Sequence, residues 1–150
     1  MKYIESQSDK ETYALGKALA AKARPGQVYA LNGDLGVGKT VFTKGFAAGL
    51  HIKEPVSSPT FTLIHEYEDG DLPFYHFDVY RIGDPDEMEE LGYEEYFYGD
   101  GVTMVEWASL IGELLPADVI TVTIEKDPLK GSDFRGITIE GAPAEEQEEP

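Results

Sequence analysis

Eight consecutive residues, Gly33-Asp34-Leu35-Gly36-Val37-Gly38-Lys39-Thr40, carry the plainest chemistry in this chain. They satisfy the pattern Gly-x4-Gly-Lys-[Ser/Thr] at every fixed position, which a chain of this composition would do by chance about once in 100. Each residue type has a reason to be there. The glycines allow a backbone wrap tight enough for successive N–H groups to point at phosphate oxygens. Lys39 supplies a mobile cation for β- and γ-phosphates, and Thr40 offers a hydroxyl to Mg²⁺. A helix starting here adds its positive end, with Val41 in its first turn. The chemistry implied is the holding of a nucleoside triphosphate. Guanine recognition through an Asn-Lys-x-Asp segment is excluded, because Asn32 is the chain's only asparagine and Gly33 follows it. ATP is therefore the expected nucleotide.

Such a loop needs a carboxylate near the metal and a group that positions water before it can hydrolyse anything. Two acids end apolar runs. Glu106 closes Val102-Thr103-Met104-Val105-Glu106, and Asp78 lies in His76-Phe77-Asp78-Val79-Tyr80-Arg81. Spacing alone does not rank them. No cysteine is present, and His51, His65 and His76 are too scattered to suggest a zinc site.

The elements that must position these residues follow from patterning. Residues 2–6 suit a short strand. Ser8 with Glu11 three residues on forms a capping box for a helix that Pro25-Gly26 stops. Gln27–Asn32 reads as a buried strand feeding the glycine loop, with a helix from Lys39 to about Leu50 behind it. Phe61–Tyr67 and Leu72–Val79 suit a hairpin around Glu68-Asp69-Gly70-Asp71. Asp84-Pro85-Asp86-Glu87 is a helix start. Gly101–Glu106 is another buried strand, Ser109–Leu115 is a helix ended by Pro116, and Val119–Glu125 with Phe134–Glu140 form a last strand pair. The result is an α/β domain, a mixed sheet with helices on both faces, over residues 1–140. Residues 141–150 form an acidic tail without an apolar pattern, expected to be disordered.

The formal net charge is −17 in 150 residues, of which Glu145, Glu146, Glu148 and Glu149 carry four, leaving about −13 on the domain. That field opposes direct gripping of RNA or DNA, whereas a local array of N–H groups and one lysine still holds a nucleotide. No apolar stretch reaches membrane-spanning length and the N-terminus lacks a signal-like apolar core, so no membrane association and a cytoplasmic location are expected. The acids of 84–95 read as an exposed helix face or a partner-facing surface. A small-molecule kinase is disfavoured by a total of three arginines, Arg24, Arg81 and Arg135.

Three further segments follow the glycine loop in order: Ser57-Ser58-Pro59-Thr60-Phe61-Thr62-Leu63, His76-x-Asp78-x-Tyr80-Arg81 and Val105-Glu106-Trp107. With Glu87-x3-Leu91-Gly92 and Leu114-Leu115-Pro116, they resemble the TsaE family of small ATPases in bacterial tRNA threonylcarbamoyladenosine biosynthesis, over about residues 5 to 140. The resemblance implies a P-loop fold, a three-layer sandwich. It implies that Gly33 to Val41 bind nucleotide, that Thr40 and Glu106 hold Mg²⁺, and that Ser58-Pro59-Thr60 is a switch-like loop near the γ-phosphate. It implies a catalytic part for Lys39 and Asp78, with Asp78 favoured over Thr60 for positioning water. Trp107 would lie beside the nucleotide, with further contacts from Thr12 and Arg135. The implied activity is ATP hydrolysis that resets a threonylcarbamoyl-transferase complex, TsaD with TsaB, between turnovers. tRNA would be met only through those partners. A nucleotide-dependent adaptor acting by binding alone is the alternative.

Overall fold

The computed structural model describes residues 1–34, 36–56, 64–80 and 82–141. Leu35, the segment 57–63 with Ser58, Pro59 and Thr60, Arg81 and the tail 142–150 lie outside the described residues, as do the expectations placed on them.

The sheet has seven strands: β1 (Lys2–Ser6), β2 (Val28–Asn32), β3 (Ile64–Tyr67), β4 (Phe74–Asp78), β5 (Val102–Glu106), β6 (Ile120–Lys126) and β7 (Arg135–Glu140). Their spatial order is β1-β7-β6-β2-β5-β4-β3. The four inner strands β6, β2, β5 and β4 run parallel, while β3, β7 and β1 add on antiparallel. This is the mixed sheet the sequence suggests.

The inner strands are apolar because both their faces are covered. Along β2 the side chains alternate with period two. Tyr29 and Leu31 join Phe42, Phe46, Phe74 and Met104 on one face, and Val28 and Ala30 join Phe77, Phe97, Val105 and Ile111 on the other. The first face is roofed by α1 (Asp9–Ala20) and α2 (Lys39–Gly49), the second by α3 (Glu87–Glu90), α4 (Tyr93–Phe97) and the chain after β5. α1 and α2 cross so closely that a Cβ at Gly16, Gly45 or Gly49 would lie within 2.4 Å of a carbonyl oxygen of the facing helix.

The Ser8 capping box acts as read, whereas α3 starts at Glu87 with Asp86 as its N-cap, two residues later than a cap at Asp84 implies. The Glu11 amide donates to Ser8 Oγ at 3.2 Å, and Glu11 Oε1 reaches back to the Gln7 amide at 3.0 Å. Ahead of α3, Asp84 Oδ1 accepts from the Asp86 amide at 2.9 Å and Glu87 Oε2 accepts from the Asp84 amide at 2.8 Å.

The helix expected over Ser109–Leu115 is corrected. Ala108–Leu114 winds as two short 3₁₀ turns broken at Ile111, whose φ of −126° is not helical. Ala108 and Ile111 both have to reach the core beneath β5, and a three-residue spacing does this with tighter turns than an α-helix. Leu115 is extended ahead of Pro116, as a residue before proline should be. Among the described residues no helix is long and apolar enough to cross a membrane.

Candidate nucleotide site

The glycine loop leaves the carboxyl end of β2 and enters α2 at Lys39. Gly36 and Gly38 have φ values of 76° and 110°, the left-handed region in which a side chain would be strained. Gly38 is the N-cap of α2 and its carbonyl accepts from the Phe42 amide at 3.0 Å. The loop is anchored from inside by Val37, which is buried against the core while its amide bonds the Asp34 carbonyl at 3.2 Å. A Cβ on Gly33 would come within 2.7 Å of Val37 Cγ1 and 2.8 Å of the Ile124 carbonyl, so that glycine answers to close packing. Thr40 and Val41 lie in the first turn of α2, with Thr40 exposed.

Arg135, 98 residues further along, closes the loop from the β7 side. Its Nε donates to the Val37 carbonyl at 2.7 Å, and Nη1 donates to the Phe134 and Ser132 carbonyls at 2.7 and 3.0 Å. Ser6 is the register partner of Arg135. The Ser6 hydroxyl donates to the Ser8 carbonyl at 2.9 Å and lies 2.8 Å from Thr12 Oγ1, which is buried. The hydroxyl of Thr12 thus joins β1 to the first turn of α1 in the neighbourhood of the loop.

Parallel pairing aligns the carboxyl ends of the inner strands. Leu31 pairs with Glu106, and Glu106 pairs with Asp78. The two acids, 28 residues apart in sequence, therefore stand side by side on the α2 face of the sheet, next to the start of α2. Lys39 is buried at 7% exposure; its Nζ lies 4.0 Å from Glu106 Oε1 and 4.1 Å from the centre of the Trp107 ring. Trp107 takes a left-handed turn, φ 62°, directly after β5, and its ring packs on Tyr80 at 4.8 Å. Glu106 is 4% exposed, and its Oε2 is 2.5 Å from His76 Nε2.

Asp78 is half-buried and its Oδ1 accepts from the Tyr80 amide at 3.0 Å. Burial raises its carboxyl above the ordinary carboxylate range, and nearby Glu106 pushes the same way. The Tyr80 amide, His76 and Lys39 oppose the rise.

Among the described residues no group of three or more His, Asp or Glu could hold a metal unaided. Mg²⁺ commonly takes one or two protein oxygens and completes its shell with phosphate and water. Two oxygen-bearing side chains of the type it takes lie here: the Thr40 hydroxyl, exposed in the first turn of α2, and the Glu106 carboxylate, whose Oε1 is 4.0 Å from Nζ of the adjacent Lys39.

The sequence-derived residues Gly33, Asp34, Gly36, Val37, Gly38, Lys39, Thr40, Val41, Asp78, Glu106, Trp107 and Arg135 thus lie at the end of the sheet where the carboxyl ends of β2, β5 and β4 meet. Sequence reasoning missed His76 as the partner of Glu106 and Ser6 as the partner of Thr12. The i, i+2 spacing of His76 and Asp78, which puts both on one face of β4, was the signal available for the first.

The family model described as Threonylcarbamoyl adenosine biosynthesis protein TsaE matches residues 6–133. The chain is 56% identical over 128 residues to the tRNA threonylcarbamoyladenosine biosynthesis protein TsaE of Bacillus subtilis, covering 85% of this chain and 78% of that protein. It is 39% identical over 119 residues to the protein of the same name in Treponema pallidum, covering 79% and 87%. A crystal structure of Bacillus subtilis YdiB superposes with a TM-score of 0.79 at 44% identity, over 97% of this chain and 89% of that one. Glycine loop, aligned acids and these likenesses agree: the chain belongs to the TsaE family of tRNA threonylcarbamoyladenosine biosynthesis.

Proposed function

We propose that residues 1–140 act as one ATPase domain, activated by the threonylcarbamoyl-transferase complex of TsaD with TsaB and resetting that complex between turnovers. The observation that carries this reading is the convergence of Lys39, Glu106 and Asp78 beside a glycine loop with two left-handed glycines. In it, Thr40 and Glu106 hold Mg²⁺, which supplies charge neutralisation at the β- and γ-phosphates. The loop N–H groups from Gly33 to Val41 and the N-terminus of α2 bind the phosphates. Lys39 swings from Trp107 to the γ-phosphate, a short move for a side chain whose resting contacts are a π face and a carboxylate 4.0 Å away. Trp107 borders the nucleotide, and Thr12 and Arg135 shape its far side.

Asp78 orients the attacking water and takes up its proton as the bond to the leaving ADP oxygen breaks. A carboxyl raised by burial is better matched to that task than a solvated one. Thr60 is the alternative for positioning the water. The −17 charge leaves tRNA to the partners.

The test is ATP hydrolysis by the full chain, alone and with the partner complex. Slow turnover alone and strong stimulation by partners, lost in Lys39→Ala, Glu106→Ala and Asp78→Asn, is the expected result. If Asp78→Asn keeps full stimulated hydrolysis, Asp78 has no part in water attack. If it loses hydrolysis yet sustains modification over many cycles, binding alone drives the partner and the adaptor reading replaces this one.

A further inference from the structure

His76 is 1% exposed, in the middle of β4, on the sheet face otherwise lined by Phe74, Met104 and Tyr29. An apolar side chain would fill such a position at no polar cost. Among the described residues the imidazole instead has one polar contact, Nε2 to Glu106 Oε2 at 2.5 Å, while Nδ1 is buried with no partner. Among the described residues Nε2 is the ring nitrogen that faces an acceptor, which places the ring proton there, donated to the carboxylate. The ring cannot readily turn away. It lies nearly parallel to Phe74, 6.2 Å off at 14°, and its strand is held in register with Met104 of β5.

Among the described residues, the Glu106 carboxylate meets the side chains of His76 and Lys39. The terminal torsion of a glutamate is broad and roughly two-fold. Oε1 has Lys39 at 4.0 Å, beyond hydrogen-bonding distance, and that cation is mobile in the proposed cycle. The short bond to His76 is the contact that sets which oxygen points at the phosphate edge.

We propose that His76 is a positioning residue for the metal: it clamps Glu106 Oε2 and so presents Oε1 toward the divalent cation bound with the nucleotide. This rests on the reading of Glu106 as the metal-side acid. Partners behind a ligand of this kind typically contribute about 10- to 100-fold to metal affinity.

The full chain saturated with a non-hydrolysable ATP analogue is titrated with Mn²⁺, the free ion being followed by electron paramagnetic resonance. Fluorescent-nucleotide affinity in EDTA is measured alongside. His76→Phe is expected to weaken Mn²⁺ binding about tenfold or more, with nucleotide affinity in EDTA unchanged. His76→Gln, whose amide N–H can reach Glu106, recovers most of the loss; a purely structural histidine would show no such rescue. Unaltered Mn²⁺ affinity in His76→Phe, with a clear loss in Glu106→Gln, overturns the role of His76 and leaves that of Glu106 standing. No loss in Glu106→Gln overturns both. Should His76→Phe fail to fold, ¹⁵N spectra of histidine-labelled wild type and Glu106→Gln decide the matter. An Nε2–H proton far downfield, moving upfield in Glu106→Gln, supports the clamp, and an Nδ1–H tautomer overturns it.

Discussion

The crossing of α1 and α2 makes Gly45→Ala a sharp test of how the site is held. Helix propensity alone favours alanine over glycine by about 1 kcal/mol at an interior helical position. Geometry argues the other way. A Cβ on Gly45 would lie 2.0 Å from the Tyr13 carbonyl oxygen, 2.8 Å from its carbon and 3.0 Å from its Cα, where 3.4–4 Å is ordinary contact. All three are backbone atoms, so no rotamer change relieves them and the helices must part by more than an ångström. Forcing one methyl into a packed core costs about 1–3 kcal/mol, and a rigid backbone neighbour points to the upper end. Net of propensity, the loss expected is about 1–2 kcal/mol.

The measurement is equilibrium unfolding in urea, with Gly112→Ala as the control because a Cβ there meets nothing within 4 Å. Gly45→Ala should lower the midpoint at constant slope, while Gly112→Ala leaves it nearly in place. Because α2 begins at Lys39, the shifted helix should also weaken ATP binding. A midpoint equal to wild type or above it would refute the argument, since helix propensity would then outweigh a backbone clash.

Arg135→Met removes the 2.7 Å bond to the Val37 carbonyl and should lower ATP affinity roughly tenfold, the equivalent of about 1.4 kcal/mol for one charged hydrogen bond; an unchanged affinity in a fluorescent-nucleotide titration means the loop keeps its shape without this brace. Burial holds the Asp78 carboxyl above its ordinary range, so its ionised form is disfavoured in the fold relative to the unfolded chain, a cost absent in acid that appears as pH rises through the folded value. Asp78→Asn, which can still accept from the Tyr80 amide, should therefore raise Tm at neutral pH by a margin that vanishes towards about pH 4. A margin independent of pH would show that another property of the asparagine is responsible. Trp107 is the chain's only tryptophan and has Lys39 4.1 Å from its ring centre, so Mg-ATP should change its emission as Lys39 leaves, and Lys39→Ala should abolish the change. Constant emission on saturation with nucleotide would mean that Lys39 stays where it rests.

What the sequence made legible was local. The glycine loop, the strand before it and the helix after it are adjacent in the chain, and each is marked by its own residue types. The cap at Ser8 spans three residues and holds as read, while the bonds of Asp84 close the turn before α3, whose N-cap is Asp86. The pairing of Asp78 with Glu106 was not legible, because it depends on the register of β4 against β5, and both acids merely end apolar runs in sequence. The bond from Arg135 to Val37 crosses 98 residues by way of an antiparallel strand pair and carries no periodic trace. His76 carries no metal-ligand spacing in the sequence, and its partner is a carboxylate on the neighbouring strand, 30 residues away. The chain after Trp107 misled for a different reason. Its apolar residues suit a helix, but a left-handed turn at Trp107 and the demands of Ala108 and Ile111 on the core leave room only for 3₁₀ turns.

The acidity of the chain bears on nucleotide and tRNA in opposite ways, and one experiment separates them. A charge of −17 spread over the molecule acts at long range, and at physiological salt it is screened beyond about 8 Å. In the proposed function the glycine loop would act inside that distance, through its amides and one cation, Lys39, buried at 7% exposure. ATP affinity should therefore change little as salt is raised. tRNA offers no such pocket-sized match and meets the diffuse field first. The isolated chain should leave tRNA unshifted in a gel at low as well as physiological salt, and a shift should appear only when the partner complex is added. Retention by the chain alone, weakening steeply with salt, would reveal a basic surface that the net charge conceals and would undo the argument that the partners hold the tRNA.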